Sequence, residues 1–146
     1  MKVREFINLT RSYEFSCSHR LYRSELSDEE NFKLFDICSN KSGHGHNYRL
    51  DVCVEGRLDS KRSMLRDIED MDSYVQKFID EKLNYKRLDI EVPYFIDNQS
   101  TCENILEFLW FGFRDGLKLN LLGLKLWENN NNYFEFFDTK MEKILR

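Results

Sequence analysis

The chain has 146 residues, four of them cysteine and 41% hydrophobic, and carries a net charge of −4 at pH 7. That length supports one domain with its own core, spanning residues 1–146; the acidic balance argues against a nucleic-acid partner, and the absence of any run of about 18 apolar residues argues against a helical membrane span. The start, MKVREFINLTRSYEF, has no apolar signal core, so the cysteines read as reduced thiols of a cytoplasmic protein, and without a CxxC pair a cysteine-rich zinc site is not expected.

The first strand is expected over residues 6–19. Tyr13, Phe15, Cys17 and His19 share one face there, with Glu14, Ser16 and Ser18 opposite. Residues 20–43 are polar, with SDEEN near the centre. They read as a long connection with a short helical turn near residues 27–35, and long loops inside compact domains are usually functional. The second strand starts at His44 and ends near Gly56 to Asp59. His44, His46, Tyr48, Leu50, Val52 and Val54 form its apolar side.

The chain holds three histidines, and all of them close the apolar face of one of these strands. If the strands pair, His19, His44 and His46 converge. Three histidine ligands with an open fourth position is the arrangement of a catalytic zinc site. Cys38 lies in the polar loop six residues before His44, where a bound cation would favour its thiolate. Cys17 and Cys53 read as structural.

A helix is expected over residues 67–83, with Asp67 as N-cap and Ile68, Met71, Val75, Phe78, Ile79 and Leu83 on its apolar side. Residues 84–99, which include Pro93, read as a connection. Ser100 and Glu103 form a capping-box pattern for a second helix carrying Ile105, Leu106, Leu109, Trp110 and Phe113. Gly112 and Gly116 work against that helix near its end. Leu122, Leu124, Leu126 and Glu128 alternate as a third strand, residues 129–132 turn, residues 133–137 form a fourth strand, and the last nine residues read as a charged tail. Glu128 closes an apolar strand face, where a carboxylate needs a hydrogen-bonding partner. The order ββααββ implies an α+β domain, a four-stranded antiparallel sheet with two helices on one face.

Six motifs occur in order: FSCSHRL, LFDICSN, GHGHNYRLDVCVEG, LDIEVPYF, STCEN and LWENNNN. Together they resemble the 6-pyruvoyl-tetrahydropterin synthase family, from about Tyr13 to Phe137. The loop from Ser24 through Asn31 to Cys38 is similar to the longer one of the animal-type enzymes rather than that of the 6-carboxytetrahydropterin synthases. The resemblance implies the tunnelling fold, in which three subunits close a barrel, two trimers stack as a homohexamer, and active sites lie between subunits. It implies a Zn²⁺-dependent lyase of tetrahydrobiopterin biosynthesis, acting on 7,8-dihydroneopterin triphosphate and eliminating triphosphate. Zinc held by His19, His44 and His46 would act as Lewis acid on the substrate side-chain oxygens. Cys38 matches the general base. Glu128 matches the pterin anchor, accepting from the ligand's N–H and 2-amino group.

Thr101 and Cys102 match a pterin-contacting Thr-Thr, with a thiol replacing one hydroxyl. Asn84 and Tyr85 stand where the family has Asp-His, a pair that supports the catalytic cysteine from a neighbouring subunit, so Tyr85 is the candidate for that role here. Asp36 and Ser63 each stand where the family has glycine. Two other readings accompany the resemblance: a different pterin side-chain lyase on the same scaffold, including 6-carboxytetrahydropterin synthase, and a non-catalytic pterin-binding paralogue.

Overall fold

Alternating apolar residues build one sheet. β1 (Phe6–His19) pairs antiparallel with β2 (His44–Asp59). The two-residue β3 (Met64–Leu65) folds back on the end of β2, and β4 (Asn120–Trp127) and β5 (Tyr133–Phe137) complete the order β1–β2–β4–β5. The coordinates are a computed structural model describing residues 5–138. Apart from Asp138, the expected charged tail lies outside the described residues.

One face of the sheet is the core. Phe15 and Cys17 of β1, Tyr48 to Val54 at alternate positions of β2, and Leu124 and Leu126 of β4 are all buried. Two helices cover them. α2 (Ile68–Lys82) contributes Met71, Val75 and Ile79, and α5 (Cys102–Arg114) contributes Ile105, Leu106, Leu109, Trp110 and Phe113. This is the expected α+β layer, with both long helices on one side. The opposite face is polar. There Asp51 accepts from Ser12 Oγ at 2.6 Å and Trp127 Nε1 at 3.1 Å, and the Arg49 guanidinium lies 4.3 Å over the Trp127 ring.

The helical turn expected near residues 27–35 is present as the eight-residue α1 (Asp28–Phe35), opened by a capping box between Ser27 and Glu30 and followed by a 3₁₀ turn over Asp36–Ser39. Other expectations need correction. The connection over residues 84–99 holds two short helices, α3 (Leu88–Glu91) and α4 (Pro93–Asp97). Asp67 sits at the N-cap of α2 in a left-handed conformation, φ 61°, and its side chain makes no capping bond. The capping box expected from Ser100 and Glu103 is absent. The cap is Thr101, whose hydroxyl accepts from Asn104 N, because the Ser100 carbonyl is engaged elsewhere. α5 runs through Gly112, since the Phe78 ring of α2 packs where a Cβ would stand, 2.4 Å away. Helix–helix packing there outweighs glycine's helix penalty of about 1 kcal/mol. In β4 a bulge opposite Cys53 and Val54 shifts the register, so Leu121 joins the core cluster while Leu122, though buried, does not.

Candidate active site

The β1–β2 register sets the site. His19 pairs with His44 and Cys17 with His46, so all three imidazoles rise from one face at the end of the ladder. His19 Nε2 lies 3.1 Å from His44 Nε2, and one ligand atom from each of the three histidines falls within 4.8 Å of the others. Tetrahedral zinc, with Zn–N of about 2.0–2.1 Å, separates its nitrogens by roughly 3.3–3.4 Å.

The protonation pattern fits a metal. His19 Nδ1 is 2.7 Å from the Ser100 carbonyl. A carbonyl only accepts, so Nδ1 donates and the lone pair is left on Nε2, facing the other histidines. Burial holds His19 and His46 below the ordinary histidine range, which favours the neutral, ligating form. Among the described residues, the buried side-chain polar atoms without a hydrogen-bond partner are His46 Nε2, Tyr48 OH, Ser100 Oγ and Asn132 Oδ1. Each belongs to this site or abuts it. Buried polar atoms in native interiors are nearly always paired, with protein, ordered water or an ion, and a metal held by the histidines would pair His46 Nε2.

Glu128 stands beside the triad. It follows β4 directly, and its Oε1 is 3.5 Å from His46 Nε2. Its Oε2 accepts from Asn132 Nδ2 at 3.1 Å. The asparagine run makes this geometry: Asn129 Oδ1 accepts from the backbone N–H of Asn131 and Asn132 at 2.8 and 3.1 Å, closing a turn that returns Asn132 to Glu128.

Residues 8–139 match the family model described as 6-pyruvoyl tetrahydropterin synthase. The chain belongs to the 6-pyruvoyl tetrahydropterin synthase family. It is 44% identical over 125 residues to the 6-pyruvoyl tetrahydrobiopterin synthase of Pongo abelii, covering 85% of this chain and 86% of that one. The corresponding Homo sapiens protein is 42% identical with the same coverage. The solved 6-pyruvoyl tetrahydropterin synthase structure of Caenorhabditis elegans superimposes with a TM-score of 0.84 at 28% identity, covering 95% of this chain and all of that one.

The other candidates from the family motifs divide into two groups. Cys38 sits in the 3₁₀ turn after α1, within electrostatic reach of Glu128. Burial pushes its thiol up, and the Glu128 and Asp36 carboxylates push the same way, so a thiolate near neutral pH needs a cation close by. Cys102 is buried, and Glu128 is placed to accept from its thiol. That thiol therefore turns toward the carboxylate, while the Thr101 hydroxyl caps α5.

Asn84 and Tyr85 lie along the free edge of β1. Asn84 Oδ1 accepts from Ser16 N at 3.0 Å and its Nδ2 donates to Asp80 Oδ1 at 3.1 Å, sealing the free edge of β1. Tyr85 is 86% exposed and lines a groove with Ser16, Cys17, Ser18, Gly45, His46 and Asn47. Sequence reasoning missed Ser100, Asn132 and Tyr48. A metal-bound imidazole needs an acceptor on its second nitrogen, which predicts a partner for His19 without saying which carbonyl supplies it.

The two positions where the resemblance implies glycine have a structural reading. Asp36 adopts φ 51°, ψ −137° and Ser63 φ 53°, conformations that favour glycine. We expect Asp36→Gly to relieve about 1 kcal/mol of backbone strain and to lower the Cys38 pKa by removing a carboxylate. A thermal melt and the pH profile of Cys38 alkylation check both, the second moving to lower pH. An unchanged profile would show that Asp36 does not act on the thiol.

Proposed function

We propose that the chain is a zinc-dependent pterin lyase of the 6-pyruvoyl tetrahydropterin synthase type. It converts 7,8-dihydroneopterin triphosphate to 6-pyruvoyl-tetrahydropterin, releasing triphosphate, and works in the cytoplasm as a hexamer of two trimers. The observation that supports this best is the 3.5 Å approach of Glu128 to His46. It sets an acceptor for the pterin's donor edge against the metal ligands.

His19, His44 and His46 would hold the zinc, which supplies Lewis-acid polarisation of the substrate's side-chain oxygens when bound. Glu128 accepts from the pterin N–H and 2-amino group, oriented by Asn132. Cys38 takes the proton from the side-chain carbon, and the loop of residues 20–43 holds it there. Tyr85 projects outward from its own subunit, as a residue serving a neighbouring site would.

Incubation of purified protein with dihydroneopterin triphosphate, with identification of the pterin product, tests this reading. A 6-carboxytetrahydropterin product, or binding without turnover, would replace it with one of the two alternatives. Asn84 favours the non-catalytic alternative in one respect, because both ends of its side-chain amide are engaged at the edge of β1.

Glu128→Gln should weaken binding of a pterin analogue by roughly 10- to 150-fold, the equivalent of about 1.5–3 kcal/mol for a charge-assisted hydrogen bond. Calorimetry measures it, and unchanged affinity would remove Glu128 from the anchoring role. Restoring the family pair, Asn84→Asp with Tyr85→His, should raise kcat more than it changes KM. The introduced carboxylate would face Asp80, which now accepts from Asn84. The gain should therefore be larger when Asp80→Asn is added. The histidine also suits the positive φ of 60° at position 85 better than tyrosine does. No gain in the triple variant would mean that the missing imidazole does not limit turnover.

A further inference from the structure

We propose that Arg87 and Asp89 are positioning residues: their ion pair locks the chain beside His19, His44 and Cys38 into one unit. Neither takes part in the steps described above. Arg87 Nε and Nη2 donate to the two Asp89 oxygens at 2.7 and 3.2 Å. Asp89 Oδ1 also accepts the backbone N–H of Arg20, the residue after His19, at 3.0 Å. Arg87 Nη1 donates to the carbonyl of Ser42, two residues before His44, at 3.2 Å. The Arg20 side chain extends the network, donating from Nε to the Ser39 carbonyl at 2.8 Å, next to Cys38. The Leu21 N–H donates to the Cys38 carbonyl at the same distance.

The place of this pair in the fold explains why the site needs it. His19–His44 is the last rung of the β1–β2 ladder, where strands fray. No tight turn closes the pair, because residues 20–43 intervene. The 84–89 segment supplies the missing restraint. Tyr85 N donates to Ser16 O at 2.6 Å, Ser18 N donates to Lys86 O at 3.0 Å, and Ser18 bridges Arg87 in parallel. Gly43, at φ +69°, lets the guanidinium lie against its bare Cα; a Cβ there would come 2.8 Å from Arg87 Cζ. The Arg87 and Asp89 side chains are 22% and 7% exposed. A planar fork with two acceptors on one side and a carbonyl on another holds three pieces of chain at fixed spacing.

The test uses Arg87→Lys and Asp89→Asn in the full chain. An ammonium keeps the charge but cannot span both Asp89 oxygens and the Ser42 carbonyl. Asparagine keeps an acceptor for Arg20 N–H but loses the charge. In both variants, zinc affinity measured by chelator competition on the metal-free protein should fall about tenfold or more. At saturating zinc, kcat should fall roughly 10- to 100-fold with KM little changed, as misplacement of catalytic groups predicts. The kinetic arm rests on the pterin reading; the zinc arm does not. A wild-type protein that binds zinc without turning over would sink the function and leave the positioning role tested by the metal alone. Zinc affinity within about twofold of wild type in both variants, even with a lowered melting temperature, would overturn the proposal and make the pair structural only. A third measurement needs no variant. Zinc binding should slow hydrogen exchange at the Arg20 amide, and unchanged exchange would count against the coupling.

Discussion

Replacing His46 with alanine should give a folded chain that no longer retains zinc and has lost turnover by several orders of magnitude. His46 is the ligand to remove, because little else depends on it. Its side chain is 23% exposed, its Nε2 has no hydrogen-bond partner, and the core residues of β2 begin at Tyr48. His19 is a poorer choice. It is 2% exposed and satisfies the Ser100 carbonyl, so its loss would add a destabilisation of about 1–3 kcal/mol for an unpaired buried group. Elemental analysis of the purified variant reads the zinc, and a melt of the metal-free protein reads the fold. Full zinc content in the His46→Ala protein would show that the ligands are other residues.

Cys38→Ala should lower kcat by about 10²–10⁴-fold while KM changes little, the range for loss of a placed general base. The thiol is partly exposed in a turn that depends on other groups, since Ser39 Oγ donates to the Asp36 carbonyl at 2.7 Å and the Cys38 carbonyl is held by Leu21 N. The substitution therefore removes chemistry rather than loop structure. A companion measurement tests the electrostatic account. Burial and two carboxylates push the free thiol up, so loading the wild-type protein with zinc should move its alkylation profile to lower pH. A profile indifferent to zinc, together with near-normal kcat in Cys38→Ala, would assign the proton transfer to another residue.

The parts of this site that were legible in the sequence are those governed by strand alternation. A period of two places His44, His46 and Tyr48 on one face, and the same count along β1 places Cys17 and His19 to meet them. The parts that were not legible depend on backbone groups or on a break in regular pairing. The Ser100 carbonyl that fixes the His19 tautomer carries no side-chain signature. The bulge in β4 changes which leucine faces the core, although Leu122, Leu124 and Leu126 alternate without interruption in sequence. Thr101 captures the helix start that the Ser100 and Glu103 pattern marks in sequence, while the Ser100 carbonyl accepts from His19 Nδ1. Asp36 and Ser63 read as departures from the resembled pattern, and only their positive φ values show why glycine would suit those positions. The Arg87–Asp89 pair joins positions distant in sequence, and LDIEVPYF alone says nothing of Ser42 or Arg20.

The pairing of His19 with His44 makes the metal a reporter of alignment. In a sheet, a slip of one residue between β1 and β2 would turn every side chain of the moved strand to the opposite face. Slipped chains would keep most of their hydrogen bonds and much of their circular dichroism, yet could not gather three imidazoles at one point. Zinc would therefore bind only the correctly aligned population and draw the others toward it by mass action. Zinc stoichiometry in a freshly refolded sample would then count aligned molecules directly. Refolding with the metal present should give a higher yield of them than adding it afterwards.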